Sequence, residues 1–234
     1  MFRVWIAGCL FAVSLISRAE ENFTPLFDGE TLRGWFQRGG KADYRVEDGA
    51  IVGTSRPLTP NSFLCTEKNY RNFILELEFK VDGRLNSGIQ IRSNAYDKPT
   101  VVARDGGKPN VIAPGRVHGY QFEIDDDPKR DRWWTGGIYD ESRRGWLFPG
   151  IRGGDEKRFT EQGRRLSTAQ EWHQVRIEAR GEVIKTFLDG ELRADMTDAM
   201  TPEGFIALQV HGVGTQTNPL EVRWRKIRLA ELTP

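Results

Sequence analysis

Apolar and polar residues alternate one by one along much of this chain, most cleanly over residues 73–81. There Phe73, Leu75, Leu77, Phe79 and Val81 share one side, while Glu76, Glu78 and Lys80 share the other. A period of two predicts a half-buried strand, because successive side chains of extended backbone point to opposite faces. The same alternation sets Tyr120, Phe122 and Ile124 against Gln121, Glu123 and Asp125 within 119–127. It also sets Ile89 and Ile91 against Gln90 and Arg92, and Ile206, Leu208 and Val210 against Ala207, Gln209 and His211. Asp48-Gly49 predicts a hairpin over 44–53, and Asp189-Gly190 joins a strand at 183–188 to another at 191–195. Further strands are expected at 172–179 and 222–232. With ten or more strands, no helix and no internal repeat, the pattern predicts an all-β, single-domain antiparallel sandwich of two curved sheets.

Two stretches break the alternation. Residues 94–117 carry Pro99, Gly106, Gly107, Pro109, Pro114 and Gly115, and residues 126–170 hold Trp133, Trp134, Tyr139, Trp146 and Phe148 among arginines and glycines. Both read as long loops over one face of the sandwich, and so many aromatics argue against disorder.

Composition narrows the partners. Lys and Arg total 34 against 33 for Asp and Glu, so no net field draws in nucleic acid or an anionic membrane. At the N-terminus, Arg3, an apolar stretch over 4–16 and Ser17-Arg18-Ala19 read as a signal peptide spanning 1–19, leaving a domain over 20–234 in the periplasm or outside the cell. Ile6-Ala7-Gly8-Cys9 resembles a lipoprotein box, but five residues before it are too few for a signal, so lipidation of Cys9 is the minor reading. Cys65 is then the only thiol, and an internal disulfide is impossible. After residue 19 no apolar run approaches the ~20 residues of a membrane span.

Three polar rows are candidates for chemistry: Gln90 and Arg92; Gln121, Glu123 and Asp125; Gln209 and His211. Each alone is more often a solvated face. Laid side by side beneath the aromatic loops, they would suit a polyhydroxylated ligand, whose hydroxyls need paired donors and acceptors while rings cover its apolar faces. His118, His173 and His211 are not in metal-ligand spacing, so no metal site is expected. His173 reads as structural and His211 as the better acid or base. Asp125-Asp126-Asp127 lacks the alternating oxygens of a calcium loop and reads as an acidic turn.

Several motifs occur in a telling order: Leu26-Phe27-Asp28-Gly29 with Gly34-Trp35, Asn86-Ser87-Gly88-Ile89 to Arg92, Gly119-Tyr120-Gln121-Phe122-Glu123-Ile124, Thr135-Gly136-Gly137-Ile138-Tyr139, Glu171-Trp172-His173, and Leu208-Gln209-Val210-His211-Gly212. Together they resemble the 3-keto-disaccharide hydrolase domain family over about residues 23–232. The resemblance implies a concanavalin A-like jelly roll, export in bacteria, and action on a carbohydrate substrate already oxidised to a ketone at C3, with no cofactor. A C3 ketone acidifies the C2 proton, so a base can remove it, the C1 group can leave, and water can add to the unsaturated sugar. Matching positions imply Glu123 or His211 as base with the other as partner acid, and Arg92 and Gln209 on the ketone or enolate. They imply Asn86, Gln121, Asp125 and Tyr139 on hydroxyls; the polar rows and the aromatic loop add Gln90, Trp134 and Trp146 to the expected binding set. The chain departs from the family pattern where members resemble Tyr-Glu-Val-Gln-Ile: at Gln121 and Glu123 the acid and amide are exchanged. Lys226 and His173 likewise stand where Asn is usual. Two other readings are a retaining glucanase using Glu123 and Asp127 and a noncatalytic, lectin-like carbohydrate-binding domain.

Overall fold

The computed structural model describes residues 21–102 and 108–233. The expected signal at 1–19, with its Cys9 box, lies outside the described residues. Two antiparallel sheets form the body. In the first, which we term the floor sheet, the spatial order is Gly145–Phe148, Ile138–Glu141, His118–Ile124, Ser87–Asn94, Gly204–Val210, Ser62–Tyr70 and Trp35–Gly39. The second runs Glu191–Thr197, Val183–Leu188, His173–Arg180, Phe73–Val81, Glu221–Glu231, Ala50–Thr54 and Asp43–Glu47, with Thr24–Pro25 paired to Glu221–Glu231.

The alternating residues set how the sheets meet. Leu75, Leu77 and Phe79 of the second sheet pack in one buried cluster with Ile89, Ile91, Tyr120, Phe122, Ile124, Leu208 and Val210 of the floor sheet. Burying those apolar faces is the main stabilising term, at roughly 25 cal/mol per Å² removed from water. The opposite face of the floor sheet is then free to carry the polar rows. Ser87–Asn94 lies between His118–Ile124 and Gly204–Val210, so the three rows are neighbours: Gln121 pairs with Gln90, and Gln209 pairs with Gly88.

The long stretches are more structured than the sequence predicts. Residues 126–170 supply Ile138–Glu141 and Gly145–Phe148, two strands that extend the floor sheet. They also supply a helix, Glu156–Leu166, against the expectation of none. Asp155 caps it, accepting from the Arg158 N–H at 2.8 Å. Only Phe159 and Gly163 are buried. Gly163 permits the docking, since a Cβ there would fall 2.1 Å from the Trp133 carbonyl oxygen. The 94–117 stretch contains a small hairpin, Thr100–Val102 with Asn110–Ile112. Among the described residues, no helix is long and apolar enough to cross a membrane.

Candidate active site

Over the polar face of the floor sheet lies a cleft of about 470 Å³. Four strands of the floor sheet contribute to its wall. His118–Ile124 supplies Gln121 and Glu123, Ile138–Glu141 supplies Tyr139 and Glu141, and Gly145–Phe148 supplies Trp146. Gln209 comes from Gly204–Val210, with His211 immediately beyond, and Asn86 immediately precedes Ser87–Asn94. Asp125, Arg116, Arg132, Pro60 and Asn61 close the rim. A larger groove, about 820 Å³, crosses the outer face of the second sheet. Its Glu76, Arg176, Glu178 and Arg228 already pair with one another, so it offers little unmet polarity.

Glu123 is the most displaced acid in the cleft. The residue is 4% exposed. Asn86 Nδ2 donates to Oε1 at 2.8 Å, and Gln121 Nε2 donates to Oε2 at 2.6 Å. Burial pushes its pKa up to about 8; the two amide donors pull it down, and the neighbouring Asp125 and Glu141 push it up again. Glu141 is also raised by burial, against the pull of Ser142 and Arg116. Asp125 is ion-paired to Arg132, whose guanidinium lies 5.4 Å from the Trp134 ring centroid and 6.0 Å from that of Trp146.

His211 is exposed at the mouth, with Nδ1 2.9 Å from the Gly212 carbonyl oxygen. A carbonyl can only accept, so in the neutral ring Nδ1 carries the proton and Nε2 is the basic nitrogen. Gln209 is fully buried, yet neither its Nε2 nor its Oε1 has a partner, and Asn86 Oδ1 is likewise unpartnered. Buried amides in this state are exceptions that call for an explanation, and a bound ligand supplies one.

The model of the 3-keto-alpha-glucoside-1,2-lyase-like domain matches residues 22–230. The chain belongs to this family. No curated protein matches it. Among solved structures, a candidate glycosyl hydrolase from Parabacteroides distasonis ATCC 8503 is 18% identical with a TM-score of 0.55, covering 91% of this chain and 95% of its own. A second from the same organism is 21% identical with a TM-score of 0.51, covering 90% and 100%. A protein of unknown function with a galectin-like fold from Bacillus subtilis is 9% identical with a TM-score of 0.56, covering 90% and 94%. At such identities the likeness shows the fold: a sandwich of the galectin and concanavalin kind.

In this 3-keto-glucoside-lyase-like domain, Asn86, Gln121, Glu123, Asp125, Tyr139, Trp146, Gln209 and His211 share the cleft. Gln90 sits one step behind it, fully buried and donating to Gln121. Trp134 packs edge-on against Trp146, with centroids 4.5 Å apart, and its Nε1 donates to Thr160 Oγ1 at 3.0 Å. It therefore braces the cleft wall.

Arg92 is a correction, because it is not at the site. The pairing with His118–Ile124 shifts register between His118 and Tyr120, and Arg92 has a φ of +45°. This bulge breaks the alternation and re-aims the side chain. Its Nε donates to the Arg71 carbonyl and its Nη1 to the Gly181 carbonyl, each at 2.7 Å. Asp127 is also elsewhere, capping the turn at Pro128–Arg130 by accepting from the Lys129 and Arg130 N–H groups. The glucanase alternative thereby loses its second carboxylate. His173 is structural, with Nδ1 2.7 Å from Asp189 Oδ2 and Nε2 held by Thr168.

Asn61, Arg116, Arg132 and Glu141 were not among the sequence candidates. Tyr139 and Glu141 do alternate with Ile138 and Asp140, a short period-two signal hidden in the apparent loop.

Proposed function

We propose that the cleft binds a glycoside carrying a ketone at C3 and cleaves it by elimination followed by hydration. The observation that carries this reading is Glu123: a buried carboxyl that keeps its proton to about pH 8, in the same cleft as the unpartnered Gln209 amide and His211. His211 Nε2 takes the C2 proton, and the C–H electron pair passes into an enolate on the C3 oxygen. The enolate re-forms the ketone as the C1–O bond breaks, and the leaving oxygen takes the Glu123 proton. Water then adds at C1 of the unsaturated sugar, giving a proton to the Glu123 carboxylate while His211 returns its proton to C2, so both groups end as they began. With Arg92 absent, the Gln209 Nε2 donor and the guanidinium groups of Arg132 and Arg116 are among the groups in the cleft that could stabilise the enolate. Trp146 and Tyr139 provide an aromatic wall for a sugar face. Such a substrate fits a protein exported through residues 1–19, which Glu20 at the N-terminus of the exported chain would support.

The test compares a chromogenic 3-keto-glucoside with its unoxidised parent. Release from the keto compound alone, abolished in Glu123→Gln and His211→Ala, is expected. Release from the parent would point to an ordinary glycosidase. Silence on both, with sugar binding retained, would leave a binding domain and refute the reaction.

A further inference from the structure

The hydrogen bonds behind Glu123 do not end at Gln121. Gln121 Oε1 accepts from Gln90 Nε2 on the adjacent strand, and Gln90 Oε1 accepts from Ser93 Oγ at 2.6 Å. Ser93 and Gln90 are fully buried and form no part of the cleft wall. An amide has one donating and one accepting end, so each link sets the direction of the next. The Ser93 proton on Gln90 Oε1 leaves Gln90 Nε2 facing Gln121 Oε1. That in turn leaves Gln121 Nε2 facing Glu123 Oε2. Two glycines keep the row open: a Cβ on Gly88 would fall 2.4 Å from Gln121 Cδ, and one on Gly119 would fall 2.3 Å from Ser93 Oγ.

We propose that Ser93 and Gln90 are positioning residues: acting through Gln121, they hold an N–H donor on Glu123 and so help set the pH at which that carboxyl ionises. A donor aimed at a carboxylate stabilises its charged form, whereas a free Gln121 amide can turn its carbonyl toward Glu123 and favour the protonated form. The effect on titration follows from the geometry alone; its effect on turnover rests on the role given above to Glu123.

Other groups also face Glu123. Asn86 donates to Oε1. Asp125 follows on the same chain segment and is paired with Arg132, Glu141 lies on the neighbouring strand with Arg116 beside it, and His211 lines the same cleft. Gln90 and Ser93 hydrogen-bond to none of these; the remaining acceptors of Ser93 Oγ are the Ile91 and Tyr120 carbonyls. A change at either residue therefore reaches Glu123 through Gln121.

Gln90→Met keeps the side-chain length and removes both links, while Ser93→Ala removes only the far one. The probe is the 13C carboxyl titration of Glu123 in the ligand-free protein, assigned by its absence in Glu123→Gln. In Gln90→Met the midpoint should rise by about one pH unit, the scale of one hydrogen bond to a charged group. In Ser93→Ala it should rise by less, with cooperative unfolding retained in both. An unmoved titration in folded Gln90→Met overturns the proposal; if that variant does not fold, an unmoved titration in Ser93→Ala does so. The alkaline limb of kcat/KM on the 3-keto-glucoside should move with the titration. A moved titration in a protein that never turns over that substrate would support the relay and refute the proposed reaction.

Discussion

Asn86 Nδ2 donates to Glu123 Oε1 across 2.8 Å, tying the start of one floor strand to the acid of its neighbour. The carboxyl it meets has an ordinary value of 4.5 and is pushed up to about 8, chiefly by burial. Between those pH values the folded chain keeps a proton that the unfolded chain has lost. The stability linked to Glu123 is thus fully present below 4.5, falls as pH rises, and is lost by about pH 8. The span sets an upper bound of about 5 kcal/mol. Glu123→Gln cannot ionise, so its stability relative to the parent should improve by about 1–3 kcal/mol between pH 5 and pH 8.5. Urea unfolding at the two pH values measures this, and parallel curves for both proteins would contradict it.

His211 stands on the exposed rim, so its removal should leave stability within about 0.5 kcal/mol. Turnover is another matter. With Nδ1 held by the Gly212 carbonyl, Nε2 is the nitrogen able to accept a proton. His211→Ala should lower kcat on a 3-keto-glucoside by about 10²–10⁴-fold, and added imidazole should restore part of the rate. Undiminished turnover in the variant would remove His211 from the mechanism.

The division between core and polar faces was readable from the alternation of single residues, as in Phe73 to Val81 and Tyr120 to Ile124. What alternation cannot carry is register between distant segments. That Gln209 lies opposite Gly88 depends on pairing across 121 residues, which the local pattern does not encode. The helix at Glu156–Leu166 escaped because its one apolar contact in the middle, Phe159, makes no visible period. Arg132, on the two-residue strand Arg132–Trp133, and Glu141 were hidden for a related reason: their short strands are set among the glycines and arginines that mark a loop. Arg92 misled in the opposite way, since a regular strand would have sent it to the cleft and a one-residue bulge did not.

The relocation of Arg92 carries its own consequence. Its guanidinium is fully buried and satisfies the Arg71 and Gly181 carbonyls, with Asn72 Oδ1 a further acceptor at 3.3 Å. Arg92→Met leaves those carbonyls without their donor and should destabilise the fold by about 2–4 kcal/mol. The folded fraction should nevertheless keep its kcat, since no atom of Arg92 lines the cleft. A thermal melt together with turnover normalised to folded protein separates the two effects. A variant that is stable but inactive would return Arg92 to the chemistry.

Gln209 should behave in the reverse sense. A fully buried amide with neither atom paired is unfavourable in the free protein, and it becomes useful only when a ligand supplies the missing partners. Gln209→Met removes the unmet polarity while keeping the volume, so the unliganded protein should gain about 1 kcal/mol of stability. On a 3-keto-glucoside the same change should lower kcat/KM by about 10–100-fold, mainly through kcat if the amide meets the enolate and mainly through KM if it meets a hydroxyl present throughout. The split between kcat and KM therefore assigns the contact. A variant less stable than the parent would mean that Gln209 already has its partners in the free protein, and that the cleft is not held open for a ligand at this position.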